Sequence, residues 1–220
     1  MSTRSSRIPR LLALYQKYLD NQDSSGFISH VSRGYTQGTL ERLVSAADPQ
    51  IRRAAVLALG FLGDYDANGV LGRALNDQDR TVRMLVEDGI RNVWARAGND
   101  EQRQQLGIVI RLNAAQHYSA ARTRASALIE SAPWFAEAWN QRAVAEFAQG
   151  HYADSIRDCH QTLEINPYQF AAAAGMGQCY LQLGNPVSAL DCFRRALRLN
   201  PDLEGVRVQV VKLARLIEGR

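Results

Sequence analysis

The side chains best suited to nucleophilic or metal chemistry in this 220-residue sequence are four histidines and three cysteines. His160 follows Cys159 directly, and His151 lies about two helical turns before that cysteine. Neighbours on a helix point about 100° apart, so Cys159 and His160 seldom meet at one ion. His151 and Cys159 share a face two turns apart, too far to chelate unaided. Cys159, Cys179 and Cys192 form no CxxC pair and are odd in number, which argues against a secreted disulfide framework. They read as small apolar core residues in a reducing cytoplasm. No nucleophile stands near a histidine in a strand–turn context. Gly34, Gly38, Gly60, Gly63, Gly69 and Gly72 lack the spacing of a phosphate-cradling loop and read as turns or close helix contacts. No catalytic residue, metal site or cofactor is expected, and the protein is not expected to be an enzyme.

Recognition chemistry is better represented. Arg194, Arg195 and Arg198 sit at the end of a predicted helix, where cations complement the helix dipole. They read as a solvated face, with an acidic partner as the alternative. Arg4, Arg7 and Arg10 read as a tail. Trp134, Phe135 and Trp139 read as repeat core, with exposure of Trp134 at a helix start as the alternative. The formal charge is +4, and the positive excess divides evenly between residues 1–100 and 101–220. With so modest and evenly divided an excess, a nucleic-acid partner is not expected. Leu11-Leu12-Ala13-Leu14 is too short for a signal-peptide core, and no apolar run reaches membrane-spanning length. A cytoplasmic protein with no membrane partner is expected.

The elements that hold these residues follow from spacing. Pro133, Pro167 and Pro201 are evenly spaced, and the last two follow asparagine. Thr162-Leu163-Glu164-Ile165-Asn166-Pro167 and Ala196-Leu197-Arg198-Leu199-Asn200-Pro201 repeat one pattern, and Leu128 to Pro133 is a looser copy. The interval is the length of a tetratricopeptide repeat, about 34 residues. The pattern resembles that family, whose unit is a pair of antiparallel helices. In residues 170–203, Gly177, Tyr180, Ala189, Phe193, Ala196 and Pro201 stand where the family carries its small, large and turn-setting residues. Small residues let paired helices approach, and large ones fill the space between turns. Residues 136–169 keep Trp139 and Ala143 but place Ser155, Cys159 and Thr162 in the second helix. Residues 102–135 are degenerate, keeping Ala121 and Pro133. Val206, Val210, Leu213 and Ile217 at helical spacing predict a capping helix within 204–220, with Arg207, Lys212 and Arg215 on its outer face.

The first hundred residues have another, shorter period. Asp48-Pro49-Gln50-Ile51-Arg52 is echoed by Asp79-Arg80-Thr81-Val82-Arg83, and the same offset carries Leu40 to Leu71 and Val44 to Leu75. This resembles a short HEAT-type repeat of the class also found in bilin lyases, covering 36–98 in two copies. The aspartate is expected to cap the second helix of each copy, with proline suited to its first turn. The arginine is expected to bridge to a neighbouring repeat. Residues 1–35 are expected to hold one amphipathic helix over 8–20 and then a loop, with room for a short helix in 23–34. Two HEAT copies are too few for an independent core. One continuous right-handed α-solenoid is therefore expected, all-α, with three tetratricopeptide units in 102–203 and Trp94 near the seam.

In the tetratricopeptide family the first helices of the units line a concave groove. The resemblance places Arg103, Leu106, Ile110, Asn113 and Ala114 there, then Glu137, Asn140, Val144, Phe147 and Ala148, then Ala171, Ala174, Gln178, Leu181 and Gln182. Asn140, Val144, Phe147, Gln178, Leu181 and Gln182 are the candidate partner-binding residues, offering amides for a peptide backbone and apolar surface for its side chains. Some relatives grip a terminal carboxylate with lysine, asparagine and arginine. Leu106, Ile110, Gln141, Ala171 and Gly175 stand at those places, so that clamp is absent. The expected function is a non-enzymatic scaffold for another protein or peptide, with no small-molecule substrate. A bilin-lyase-like activity and nucleic-acid binding are the alternatives.

Overall fold

The computed structural model describes residues 10–219, so Arg4, Arg7 and the start of the helix predicted over 8–20 lie outside the described residues. The described chain is all-α, with no strand. It divides into two compact units, one ending at Val93 and one beginning at Trp94.

In the N-terminal unit α1 spans Arg10–Asn21 and α2 spans Ser24–Gly34. The second is a full helix where the sequence suggested mainly a loop. Asp23 caps it by accepting from the Gly26 amide, and Phe27 and Val31 bury its inner face. Phe27 packs with Tyr18 and Phe61 at ring separations of 5.4 and 6.3 Å. Polar Ser-Ser-Gly at the helix start hid this apolar stripe.

Next come α3 (Gln37–Leu43), α4 (Pro49–Leu62), a short 3-10 turn, α5 (Asn68–Ala74) and α6 (Arg80–Ala95). α5 starts as far after α3 as α6 does after α4, the same offset that separates Asp48 from Asp79. The sequence period is thus a period of helix pairs. Asp48 caps α4 by accepting from the Gln50 amide, with Pro49 in the first turn. Asp79 caps α6 through the Val82 amide. Arg52 forks onto Asp77 of the next copy at 2.8 and 2.9 Å and also holds the carbonyls of Ala46 and Ala47. Arg83 repeats the carbonyl contacts on Asp77 and Gln78. The bridging arginine expected from sequence is present. Gly60 and Gly89 bring α4 and α6 backbone to backbone: a Cβ on Gly60 would lie 2.9 Å from the Gly89 Cα.

The C-terminal unit holds α7 (Asp100–Ala114), α8 (Tyr118–Ser131), α9 (Ala136–Ala148), α10 (Tyr152–Ile165), α11 (Phe170–Gln182), α12 (Pro186–Leu199) and α13 (Glu204–Ile217). Asn99 and Gln102 form a capping box that starts α7 slightly ahead of the expected repeat boundary. α8, α10 and α12 start at the interval of the three prolines, and so do α9, α11 and α13. Each helix packs on the next, and α7, α9 and α11 also pack side by side. This unit is a helical-repeat solenoid.

Its packing follows the repeat logic. Gly177 lets α11 meet the ring of Phe193, which an added Cβ would approach to 2.5 Å. Ala189, Leu190 and Phe193 form a buried cluster with Leu213 of α13, and Val206 and Val210 pack beside it. The middle hairpin, with smaller residues, substitutes polar links. The Ser155 hydroxyl donates to the Ala143 carbonyl at 2.8 Å across the pair, and Arg142 forks onto Asp158 at 2.8 Å.

Candidate partner-binding groove

α7, α9 and α11 pack side by side and carry the candidate groove residues. Val144 and Gln178 are one repeat period apart, as are Phe147 with Leu181 and Ala148 with Gln182, so each pair holds the same place on adjacent inner helices. Val144 is 44% exposed, Gln182 is exposed and Gln178 is half-buried. These three meet solvent. Phe147 is half-buried against Tyr152, with ring centroids 5.5 Å apart. Leu181 leans on the Ala189–Phe193–Leu213 cluster. On α7, Ile110 is 39% exposed, whereas Leu106 is buried in the core.

Asn140 has a different surrounding. It is 8% exposed, and its amide donates to Glu137 at 3.0 Å. Glu137 also accepts from Gln141 at 2.8 Å and from Gln169 at 2.8 Å. Gln141 in turn accepts from Asn113 of α7 at 2.9 Å. A ladder of amides around one buried carboxylate thus joins the three inner helices. Sequence reasoning missed this ladder, although Glu137, Asn140 and Gln141 stand at i, i+3 and i+4, the spacing that puts side chains on one helical face. Asn140 therefore belongs to the floor under the groove.

The chemistry-bearing residues elsewhere are accounted for by packing. Cys159 is buried, and desolvation pushes its thiol far above the usual value. Burial also raises the thiols of Cys179 and Cys192. A raised thiol holds little of the thiolate that nucleophilic chemistry needs. His160, the next residue, is exposed. His151 Nδ1 lies 2.7 Å from Glu146, and Glu146, His151 and Asp154 offer ligand atoms within 4.8 Å of one another. Arg122 lies 3.3 Å from Glu146 and Arg157 pairs with Asp154, so both carboxylates already face a guanidinium. Trp139 is half-buried, donates to the Pro133 carbonyl at 2.9 Å and carries Arg142 over its ring at 4.9 Å. Trp134 is 52% exposed and stacked on Phe135, so it follows the exposed reading rather than the core one.

Comparison with known proteins agrees with this architecture. Tetratricopeptide-repeat models match residues 136–168 and 171–203. A HEAT-repeat model matches residues 36–105. The chain therefore carries tetratricopeptide repeats in its C-terminal half and a HEAT-repeat segment in its N-terminal half. A TPR repeat-containing protein of Rhizobium etli is 34% identical over 87 residues, 40% of this chain and 43% of that protein. The chain thus matches less than half the length of that relative. Among solved structures, the TPR2AB-domain:pHSP90 complex of yeast Sti1 is 13% identical with a TM-score of 0.49, covering 93% of this chain and 97% of that one. A thermophilic TPR protein of Thermus thermophilus is 15% identical with a TM-score of 0.41, covering 93% of this chain and 97% of that one. Tetratricopeptide repeats are generally a non-enzymatic protein-interaction fold, and residues 136–168 and 171–203 match that kind of repeat. No described helix is long and apolar enough to cross a membrane.

Proposed function

We propose that the chain works by holding a segment of another protein or peptide in the groove of its C-terminal unit, without chemistry of its own. The observation that carries this reading is the row Ile110, Val144, Gln178: two exposed apolar side chains and a half-buried amide at matching places on adjacent inner helices. Beneath them lies the fixed amide ladder on Glu137. A fixed floor with accessible side chains above it lets a bound segment order without ordering its host. The three free cysteines, two of them buried, support a reducing, cytoplasmic setting.

The test uses groove residues that carry little of the fold. Val144→Glu with Gln178→Ala should leave the melting temperature nearly unchanged, because Val144 is largely solvent-facing. In an affinity capture from the native cell, proteins retained by wild type should be lost from this variant. If they are retained equally, the groove is not the site, and the Arg194–Arg198 surface or the HEAT segment is next. Asn140→Ala, by contrast, removes a donor from buried Glu137 and should cost about 1–3 kcal/mol of stability.

A further inference from the structure

α13 packs on α12 and stands in register with the inner helices. It begins one repeat period after α11, and its Val206, Val210 and Leu213 hold the same places as Ala172, Met176 and Cys179. Those three pack α11 onto the second hairpin, and their α13 equivalents pack onto the third. The groove therefore gains a fourth row. Lys212 follows Val144 and Gln178 in register, Arg215 follows Phe147 and Leu181, and Val208 follows Asn140.

The charge along this surface is one-sided. Its only carboxylate in the inner row of α9 is Glu137, which is 9% exposed and already accepts from three amides. On α13 Arg207 lies 3.7 Å from Glu204, whereas Lys212 and Arg215 are exposed and make no ion pair with a described residue. Val208 is 51% exposed beside them. The surface thus runs from apolar at Ile110 and Val144 to cationic at α13.

We propose that the segment held in the groove is acidic at one end, its carboxylates lying over Lys212 and Arg215 and its apolar side chains over Val144. This rests on the groove reading above and adds the partner's chemistry and its direction. Packed helices lie about 8–10 Å apart, so Val144 and Lys212, two rows apart, are separated by roughly 20 Å. An extended chain rises about 3.3 Å per residue, which sets the acidic and apolar elements about six residues apart.

Fluorescein-labelled, end-blocked dodecapeptide pools test this on the full chain. Each pool carries a degenerate apolar pair about six residues from an acidic, neutral or lysine triplet, placed at either end. By anisotropy the acidic pool of one chain direction should bind about three- to tenfold tighter than the neutral pool, the size expected of two exposed ion pairs. Lys212→Glu with Arg215→Glu should reverse the order of the acidic and lysine pools, and Val144→Glu should weaken all of them. If pools bind without regard to charge, or the reversal leaves their order unchanged, while Val144→Glu still weakens binding, the acidic partner is wrong and the groove stands. If no pool binds, or Val144→Glu has no effect, the groove reading falls and this inference with it. A lowered melting temperature in the reversal variant would call for Lys212→Gln with Arg215→Gln, for which the acidic preference should vanish; its persistence overturns the proposal.

Discussion

The two units solve one problem, joining successive helix pairs, with different chemistry. In the N-terminal unit the joints are charged: Arg52 on Asp77, and Arg53 on Asp79 at 2.5 and 2.9 Å. In the C-terminal unit they are packing contacts, such as Ala172 and Met176 of α11 against Cys159 and Leu163 of α10, supplemented by the amides around Glu137. Charged joints demand particular partners at particular places: Arg52 and Asp79 have counterparts in the other copy, Arg83 and Asp48, whereas Asp77 and Arg53 stand opposite Ala46 and Met84. Packing joints demand only volume, so the middle hairpin accommodates Ser155, Cys159 and Thr162, all buried. Volume tolerates drift, which explains how the first tetratricopeptide unit keeps its fold with so little of its pattern.

The comparison is broken most severely where two backbones meet. Gly60 faces the Gly89 backbone, and neither partner has a side chain that can turn away. Gly60→Leu should cost about 3 kcal/mol or more through overpacking. Gly177→Ala, facing a ring, should cost about 1–3 kcal/mol. Hydrogen exchange should show the first loss in α4 and α6 and the second in α11 and α12. Equal, small effects at both sites would mean the glycines are incidental.

Much of this was legible in the sequence, because both repeats announce themselves by spacing. The two periods set helix order, and Asp48 and Asp79 set two helix starts. α2 was obscured because its stripe, Phe27 and Val31, holds only two strongly apolar residues behind a Ser-Ser-Gly start. The groove residues were legible as places but not as states. The spacing lets Asn140 meet Glu137, but nothing in one row of sequence tells that this pair is buried while Gln178 meets solvent, or that Gln169 reaches Glu137 from the next hairpin at 2.8 Å.

A milder test uses the charged joints. The Arg53 hydrogen bond lowers the Asp79 carboxyl to about 2 from 3.8, against an opposing push from burial. Burial also raises the Asp77 carboxyl, but its bonds to Arg52 and the Asp79 amide outweigh this and leave it lowered. Both groups are depressed in the fold, so their stabilisation is present above the ordinary carboxylate range and is lost as pH falls from about 4 toward 2. Amide protection in α4 and α6 should fall over that window. Asp79→Asn should lower stability at neutral pH by about 1–2 kcal/mol, the order of a charge-assisted bond, and remove part of the acid dependence. An unchanged acid profile would place the dependence elsewhere.

The smallest effect should have the opposite sign. Gly150 and Gly184 end the first helix of their hairpins at φ of +80° and +70°, and Gln116 holds the equivalent place at +62°. An added Cβ at either glycine meets nothing within 4 Å, so the conformation itself, not crowding, favours glycine there. For a residue with a side chain the left-handed region costs about 1–2 kcal/mol. Glycine gives back part of that through its greater freedom in the unfolded chain. Gln116→Gly should therefore stabilise the first hairpin by about 0.5–1 kcal/mol, and Gly184→Ala should destabilise the third by a similar amount. Because Gln116 is exposed, the substitution removes no packing. Chemical denaturation of both variants reads the result. If Gln116→Gly is neutral or destabilising, the side chain contributes something at that turn that offsets its strain, and the degenerate first repeat is held by more than tolerance.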